Sequence, residues 1–164
     1  MRLTKNFTLQ ELIYSATALR KNIDNTPTKE GVIKLRLLAA SLLQPLRNAV
    51  CSIRLTSGYR SPALSEAIGS SSNSQHCRYE AVDMQFVKRG KMDNLKLYKA
   101  LIDLKLEFDQ CILEFGTSTK DIDGDPAWIH ISWKISDNRK QVLVAYKDDN
   151  NKTKYRSPIE YNCI

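Results

Sequence analysis

The chain contains only two histidines, and the residues around them matter more than their number. His76 closes the triplet Ser74-Gln75-His76, seven residues before Asp83. His130 sits in Trp128-Ile129-His130-Ile131-Ser132-Trp133. There the alternation predicts a strand with Trp128, His130 and Ser132 on one face and the two isoleucines on the other. Val82, Met84 and Phe86 form the apolar face of a second predicted strand, so Asp83 points away from it. A loop imidazole, a strand carboxylate and a strand imidazole can therefore converge on the polar side of one sheet. Two imidazoles and a carboxylate form an N,N,O set suited to Zn²⁺, and three protein ligands leave the open position that a catalytic zinc needs. On spacing alone, the same three residues equally fit unrelated surface or hydrogen-bonded roles.

The surrounding elements have their own signals. Thr8-x-x-Glu11 is a capping box, and Leu9, Leu12, Ile13, Ala16 and Leu19 follow it at helical spacing. Thr26-Pro27 predicts the start of a second helix, with Pro at its first position. Val32, Leu35, Ala39, Leu42 and Leu46 form its buried stripe, and Pro45 is expected to kink or end it. A short strand through Ile53 and Leu55 leads into a turn-rich loop, Ser57 to Pro62, and the polar run Ser70 to Ser74 reads as loop. After the Asp83 strand, Asp93 is placed to cap a third helix carrying Leu97, Leu101 and Leu104. Cys111, Leu113 and Phe115 alternate as a further strand; Trp128 to Trp133 and Gln141 to Tyr146 complete the strands, and Asp148 to Asn151 is a turn. Helices first and antiparallel strands later indicate an α+β fold.

A length of 164 residues fits a single domain spanning 1–164, with a core over about 1–146 and a C-terminal turn and tail over 147–164. The apolar fraction of 42% and charged fraction of 26% are ordinary globular values, which excludes a mainly disordered chain. No stretch approaches the ~20 apolar residues of a membrane span, and the N-terminus has no apolar core of a secretory signal. Synthesis in the cytoplasm follows, and the four cysteines, with no C-x-x-C pair, read as free thiols. The net charge of +7 is uneven: residues 1–60 hold ten basic against three acidic residues, 61–133 eight against eleven, and 134–164 seven against four. A central acidic block is a poor footprint for nucleic acid, which is not expected as a partner. The basic arms suit either an ordinary solvated surface or attraction to a polyanionic one such as a cell wall. A monomer is expected.

Ser57-Gly58-Tyr59-Arg60-Ser61-Pro62, then Ser74-x-His76 and Asp83, then Trp128-x-His130, resemble the zinc D-alanyl-D-alanine carboxypeptidase family. The resemblance runs from Phe7-Thr8-Leu9-x-Glu11-Leu12 to about Tyr146, and the small phage and prophage peptidoglycan peptidases are the nearest in kind. It implies a hedgehog/DD-peptidase-like fold, with N-terminal helices packed on a mainly antiparallel sheet, and Zn²⁺ as cofactor held by His76, Asp83 and His130. It also assigns substrate binding to Arg60, whose guanidinium can hold a carboxylate bidentately; bracing of the fold is the other role open to it. Ser74 fits either a substrate hydrogen bond or a turn. The chain departs from the family pattern twice. Tyr79 stands where Gly is usual, and Ala127 stands where many relatives carry an acidic general base three residues before the last histidine.

Three readings of the base follow. Glu114 lies on a strand that can neighbour the His130 strand, opposite the apolar Cys111, Leu113 and Phe115. Asp125 lies five residues before His130, in an acidic loop. In the third reading neither acts, and Glu114 only orients a histidine or Arg60. Cys77 is excluded as a fourth ligand because a closed site leaves no catalytic water. Asp121-x-Asp123-Gly124-Asp125 lacks the Gly and Glu spacing of a calcium loop. The expected activity is hydrolysis of peptide bonds in peptidoglycan stem peptides, by a D-Ala-D-Ala carboxypeptidase or an endolysin-like endopeptidase. It would act at the cell wall after release by lysis or a holin-type pore. A catalytically impaired, zinc-containing peptidoglycan-binding module is the alternative.

Overall fold

Alternation of apolar and polar residues along the central strands sorts the fold into layers. The computed structural model describes residues 1–116 and 125–158. Its strands are β1 (Arg54–Ser57), β2 (Ala81–Gln85), β3 (Val87–Lys88), β4 (Lys91–Met92), β5 (Gln110–Glu114), β6 (Trp128–Ser132), β7 (Gln141–Lys147) and β8 (Thr153–Arg156). Six of them form one sheet in the order β1-β2-β6-β5-β7-β8, antiparallel throughout except for the parallel β5–β7 pair. β3 and β4 make a separate hairpin, and Arg89 and Gly90 both take positive φ at its tip. The cross-strand rows Val82↔Ile131↔Cys111↔Val142 and Met84↔Ile129↔Leu113↔Val144 place eight apolar side chains on one face. Asp83, His130 and Ile112 form the row between them and so take the other face.

The helices are α1 (Leu9–Ile13), α2 (Ala16–Lys21), α3 (Lys29–Leu38), α4 (Gln44–Val50), α5 (Pro62–Ala67) and α6 (Leu95–Asp103), of which α1, α3, α4 and α6 cover the apolar face. Leu12, Leu35, Leu38, Leu42, Leu43, Leu46, Leu97 and Leu101 are buried in one cluster with Met84, Ile129 and Ile131. Each such side chain contributes about 1.5–3 kcal/mol by leaving water, so the leucine layer is what holds the sheet's back. The fold is thus mixed helix and sheet, with a mainly antiparallel sheet as expected. No helix among the described residues is long and apolar enough to cross a membrane.

Several boundaries differ from the sequence reading. The capping box forms as expected, with Thr8 and Glu11 reciprocally bonded, but the helix stops at Ile13. Tyr14 is extended and the Ser15 side chain accepts the Ala18 N–H, which starts α2 as a separate element. The next helix begins at Lys29 and not at Pro27, because the Thr28 hydroxyl accepts the Gly31 N–H and takes the cap position. Pro45 neither ends nor breaks the helical run. A π-helical turn, Ala39–Leu43, precedes it, and the wider turn accommodates a residue with no N–H to give. At α6 the N-cap is Asn94; Asp93 accepts the Lys96 N–H, and Asp125 accepts that of Leu95. α5 lies between the two expected loops, Ser57 to Pro62 and Ser70 to Ser74, where no element is expected, and β8 lies in the expected tail. Cys51, Cys77 and Cys111 carry free thiols, and burial pushes that of Cys111 up to about 12. Most of the acidic run beginning at Asp121, and Cys163, lie outside the described residues.

Tyr79 resolves one of the two departures. Its φ is +65°, the left-handed region that favours glycine. A non-Gly residue there costs roughly 1–2 kcal/mol, and ring packing offsets it. The Tyr79 ring stacks on Tyr59 with centroids 4.3 Å apart, and its hydroxyl accepts the Thr28 N–H at 3.3 Å. It also lies so close over Gly31 that a Cβ there would overlap the ring, with Cε2 at 2.8 Å. Gly31→Ala should therefore lower Tm in the wild-type background despite the better helix propensity of Ala. In a Tyr79→Gly background the same change should raise Tm, because only the propensity gain of about 1 kcal/mol remains. Thermal unfolding of the four proteins in that cycle measures the coupling; equal effects in both backgrounds would contradict it.

Candidate metal centre

The register brings two of the three expected ligands together directly. Asp83 pairs with His130 across β2 and β6, and Ser57 of β1 pairs with Asp83 on its other side. His76 arrives from the turn-rich segment between α5 and β2. The Ser74 hydroxyl accepts the His76 N–H at 3.3 Å, and the His76 carbonyl accepts the Arg60 N–H at 3.4 Å. Its Nδ1 lies 2.7 Å from the Gly58 carbonyl, an acceptor only, so Nδ1 carries a proton and Nε2 is the nitrogen turned toward the site.

That Nε2 lies 3.3 Å from Asp83 Oδ1, and His130 Nδ1 lies 2.9 Å from the same oxygen. The ring centroids are 5.1 Å apart. One donor atom from each residue falls within 4.8 Å of the others, and all three residues are buried. A cluster of this composition and size can hold a metal ion, and its N,N,O donors match zinc. Burial pushes the Asp83 carboxyl up, but hydrogen bonds from the His130 and His76 rings, and their charge, outweigh it and hold it well below the usual carboxylate range. Arg60 holds the second oxygen: Nη2 donates to Asp83 Oδ2 at 2.7 Å, while Nε donates to the Ser57 hydroxyl at 2.9 Å. The Arg60 loop is itself tied down by Asn25, which donates to the Ile13 and Tyr59 carbonyls and accepts the Ser61 N–H.

The other expected site residues take distinct positions. Glu114 pairs with Trp128, two residues along β5 from Ile112, the partner of His130. It thus lies diagonal to His130 on the same face, a separation of roughly 7–8 Å. Burial pushes its carboxyl up to about 7; His130 and Lys147 oppose that shift and Asp83 adds to it. Asp125 gives one carboxylate oxygen to the Leu95 N–H at 2.9 Å, a helix-capping position. Ala127, at the usual acidic position, donates its N–H to the Glu114 carbonyl at 2.8 Å, so it is the backbone neighbour of the Glu114 strand.

Sequence reasoning missed four participants. Gly58 supplies a carbonyl, not a side chain, and its signal was its place in the Ser-Gly-Tyr-Arg stretch. Asn94, fully buried, donates to the Pro126 and Ala127 carbonyls and accepts the Phe86 N–H, fixing the chain that leads into β6. Gln75 adjoins His76 and Asp109 directly precedes β5, and neither polar side chain carries a periodic signal.

A family model described as Peptidase M15 matches residues 5–110, about two thirds of the chain. No curated protein matches it.

Proposed function

We propose that this chain, which belongs to the peptidase M15 family of zinc metallopeptidases, hydrolyses peptide bonds in peptidoglycan stem peptides. The observation that carries the proposal is the convergence of His76 Nε2, His130 Nδ1 and Asp83 Oδ1, with Glu114 on the same sheet face. His76, Asp83 and His130 would hold the zinc, which supplies polarisation of the scissile carbonyl and activation of water. The choice of cell-wall peptides rests on the resemblance of the Arg60, His76 and His130 motifs to D-alanyl-D-alanine carboxypeptidases.

Each remaining role belongs to a residue of the chain. Glu114 takes the proton of the attacking water and delivers it to the leaving amine, a task for which a carboxyl near neutrality is suited. A bound cation draws that pKa down from its metal-free position. Asp125 is a poorer base because its carboxylate caps α6. Arg60 spends Nη2 and Nε on Asp83 and Ser57, and its Nη1 end is assigned to a substrate carboxylate. Ser74 positions His76. Action at the wall after lysis or passage through a pore completes the reading.

The test is incubation of purified peptidoglycan with wild type and Glu114→Gln, with and without chelator, followed by mass analysis of the fragments. Wild type should release peptide fragments only without chelator. Glu114→Gln should keep its zinc and lose turnover by ~10²–10⁴-fold. A pH readout checks the raised carboxyl on which this role depends. Between the unfolded value of 4.5 and the folded value of about 7, the unfolded chain releases the Glu114 proton first, so stability falls as pH rises. Glu114→Gln should therefore gain stability over metal-free wild type across that window and show no gain below it. A zinc-bound wild type that releases no fragment would instead indicate a wall-binding module.

A further inference from the structure

Asp109 is almost wholly buried at the start of β5, and its two oxygens are fully engaged. Arg139 Nε and Lys134 Nζ donate to Oδ1 at 3.0 and 2.9 Å; Arg139 Nη2 and Gln75 Nε2 donate to Oδ2 at 2.7 and 2.8 Å. Burial pushes the Asp109 carboxyl up, but the bonds from Arg139 and Lys134 outweigh it and keep the group ionised. An ionised carboxylate only accepts hydrogen bonds. The Gln75 amide must therefore turn its NH₂ toward Asp109 and its oxygen the other way. That oxygen lies 3.3 Å from His130 Nε2 and, being a carbonyl, can only accept. Both ring nitrogens thus face oxygens that only accept, Nδ1 at 2.9 Å from Asp83 Oδ1 and Nε2 at Gln75; a metal taken up at Nδ1 would displace the proton there, and Gln75 keeps the one on Nε2.

We propose that Gln75 and Asp109 are positioning residues for His130: the buried carboxylate fixes the Gln75 amide, and the amide fixes the ring and the tautomer that presents Nδ1 to the metal. The inference rests on the metal reading above. It adds a chain of three side chains, from β5 through the turn before His76 to β6, which reaches the site from the side opposite Arg60. The two histidines are thus set by different means, His76 through a backbone carbonyl and His130 through a side-chain relay.

The experiment compares zinc affinity, by chelator competition, with the imidazole N–H signals of the zinc-loaded protein by ¹⁵N-edited NMR. Wild type should show a His130 Nε2–H protected from exchange with water. Gln75→Leu should lose that protection and bind zinc about 10–100-fold more weakly, the usual loss when an outer partner of a ligating histidine is removed. Gln75→Asn, one carbon too short to reach both partners, should move both readouts in the same direction, and it serves should the leucine variant not fold. Zinc affinity within twofold of wild type in a folded variant, or a zinc-bound His130 with its proton on Nδ1, would overturn the relay alone. A wild type that takes up no zinc would overturn the metal reading and the relay with it.

Discussion

Asp83→Asn should abolish tight zinc binding and, at neutral pH, unfold the metal-free protein far more easily than wild type. The substitution keeps the shape of the side chain and removes the charge on which Arg60, His76 and His130 all converge. Breaking one partner of a buried ion pair typically costs ~3–5 kcal/mol because the other charge is left uncompensated. Here the orphan is Arg60, only 16% exposed. The pH dependence has a definite sign. The folded carboxyl titrates well below its unfolded value, so its contribution is complete above pH ~4 and fades as pH falls below that. Denaturation of both proteins at pH 7 and pH 3 should show a smaller difference at pH 3 than at pH 7. Zinc affinity should fall by more than the ~10–100-fold of an outer-partner loss. Retained affinity in the variant would remove Asp83 from the ligand set.

Gly58→Ala should be nearly as damaging, although residue 58 contributes no side chain. A Cβ at that position would overlap the Leu12 carbonyl oxygen and lie 2.8 Å from Leu12 C and 3.0 Å from Leu12 Cα. These are backbone atoms at the end of α1, so no rotamer can yield. The Tyr59 N–H bond to the Leu12 carbonyl, 2.7 Å long, would have to break or stretch. The expected loss is at the upper end of, or beyond, the ~1–3 kcal/mol of ordinary overpacking. The Gly58 carbonyl also receives the His76 Nδ1–H, so zinc affinity should drop although every ligand is intact. Gly69→Ala is the control: its φ is +76° but nothing lies within 4 Å, so only the local backbone penalty applies. Urea midpoints and zinc titrations of both variants would decide the matter, and a Gly58→Ala protein no weaker than Gly69→Ala would refute the packing argument.

The strand-borne half of the site was legible because alternation assigns a face. Val82, Met84, Ile129 and Ile131 claim the core, which leaves Asp83 and His130 together on the other side whatever the register. Glu114 was readable in the same way, from Cys111 and Leu113. His76 lies in turns, where no periodicity operates, and its place depended on motif spacing alone. The Gln75–Asp109–His130 chain was illegible because it needs the register of β5 against β6, and polar contacts between residues 34 and 55 positions apart leave no local pattern. β8 was missed for a related reason: Thr-Lys-Tyr-Arg at a sheet edge has no apolar face to betray it. Tyr79 shows a different limit. Its left-handed backbone is tolerable only because Gly31, in another helix, leaves room for its ring.

The site is stitched from β1, β2, β6 and a connecting turn, and its two imidazoles are separated by 54 positions in the chain. Such distant partners meet only after the loops between them have closed, which is the slow part of assembling a sheet. A chain still emerging from synthesis presents His76 and Asp83 long before His130 exists to join them. An ion held by all three donors can accordingly be captured only once β6 has joined β2, so the apolar packing behind the sheet must come before it.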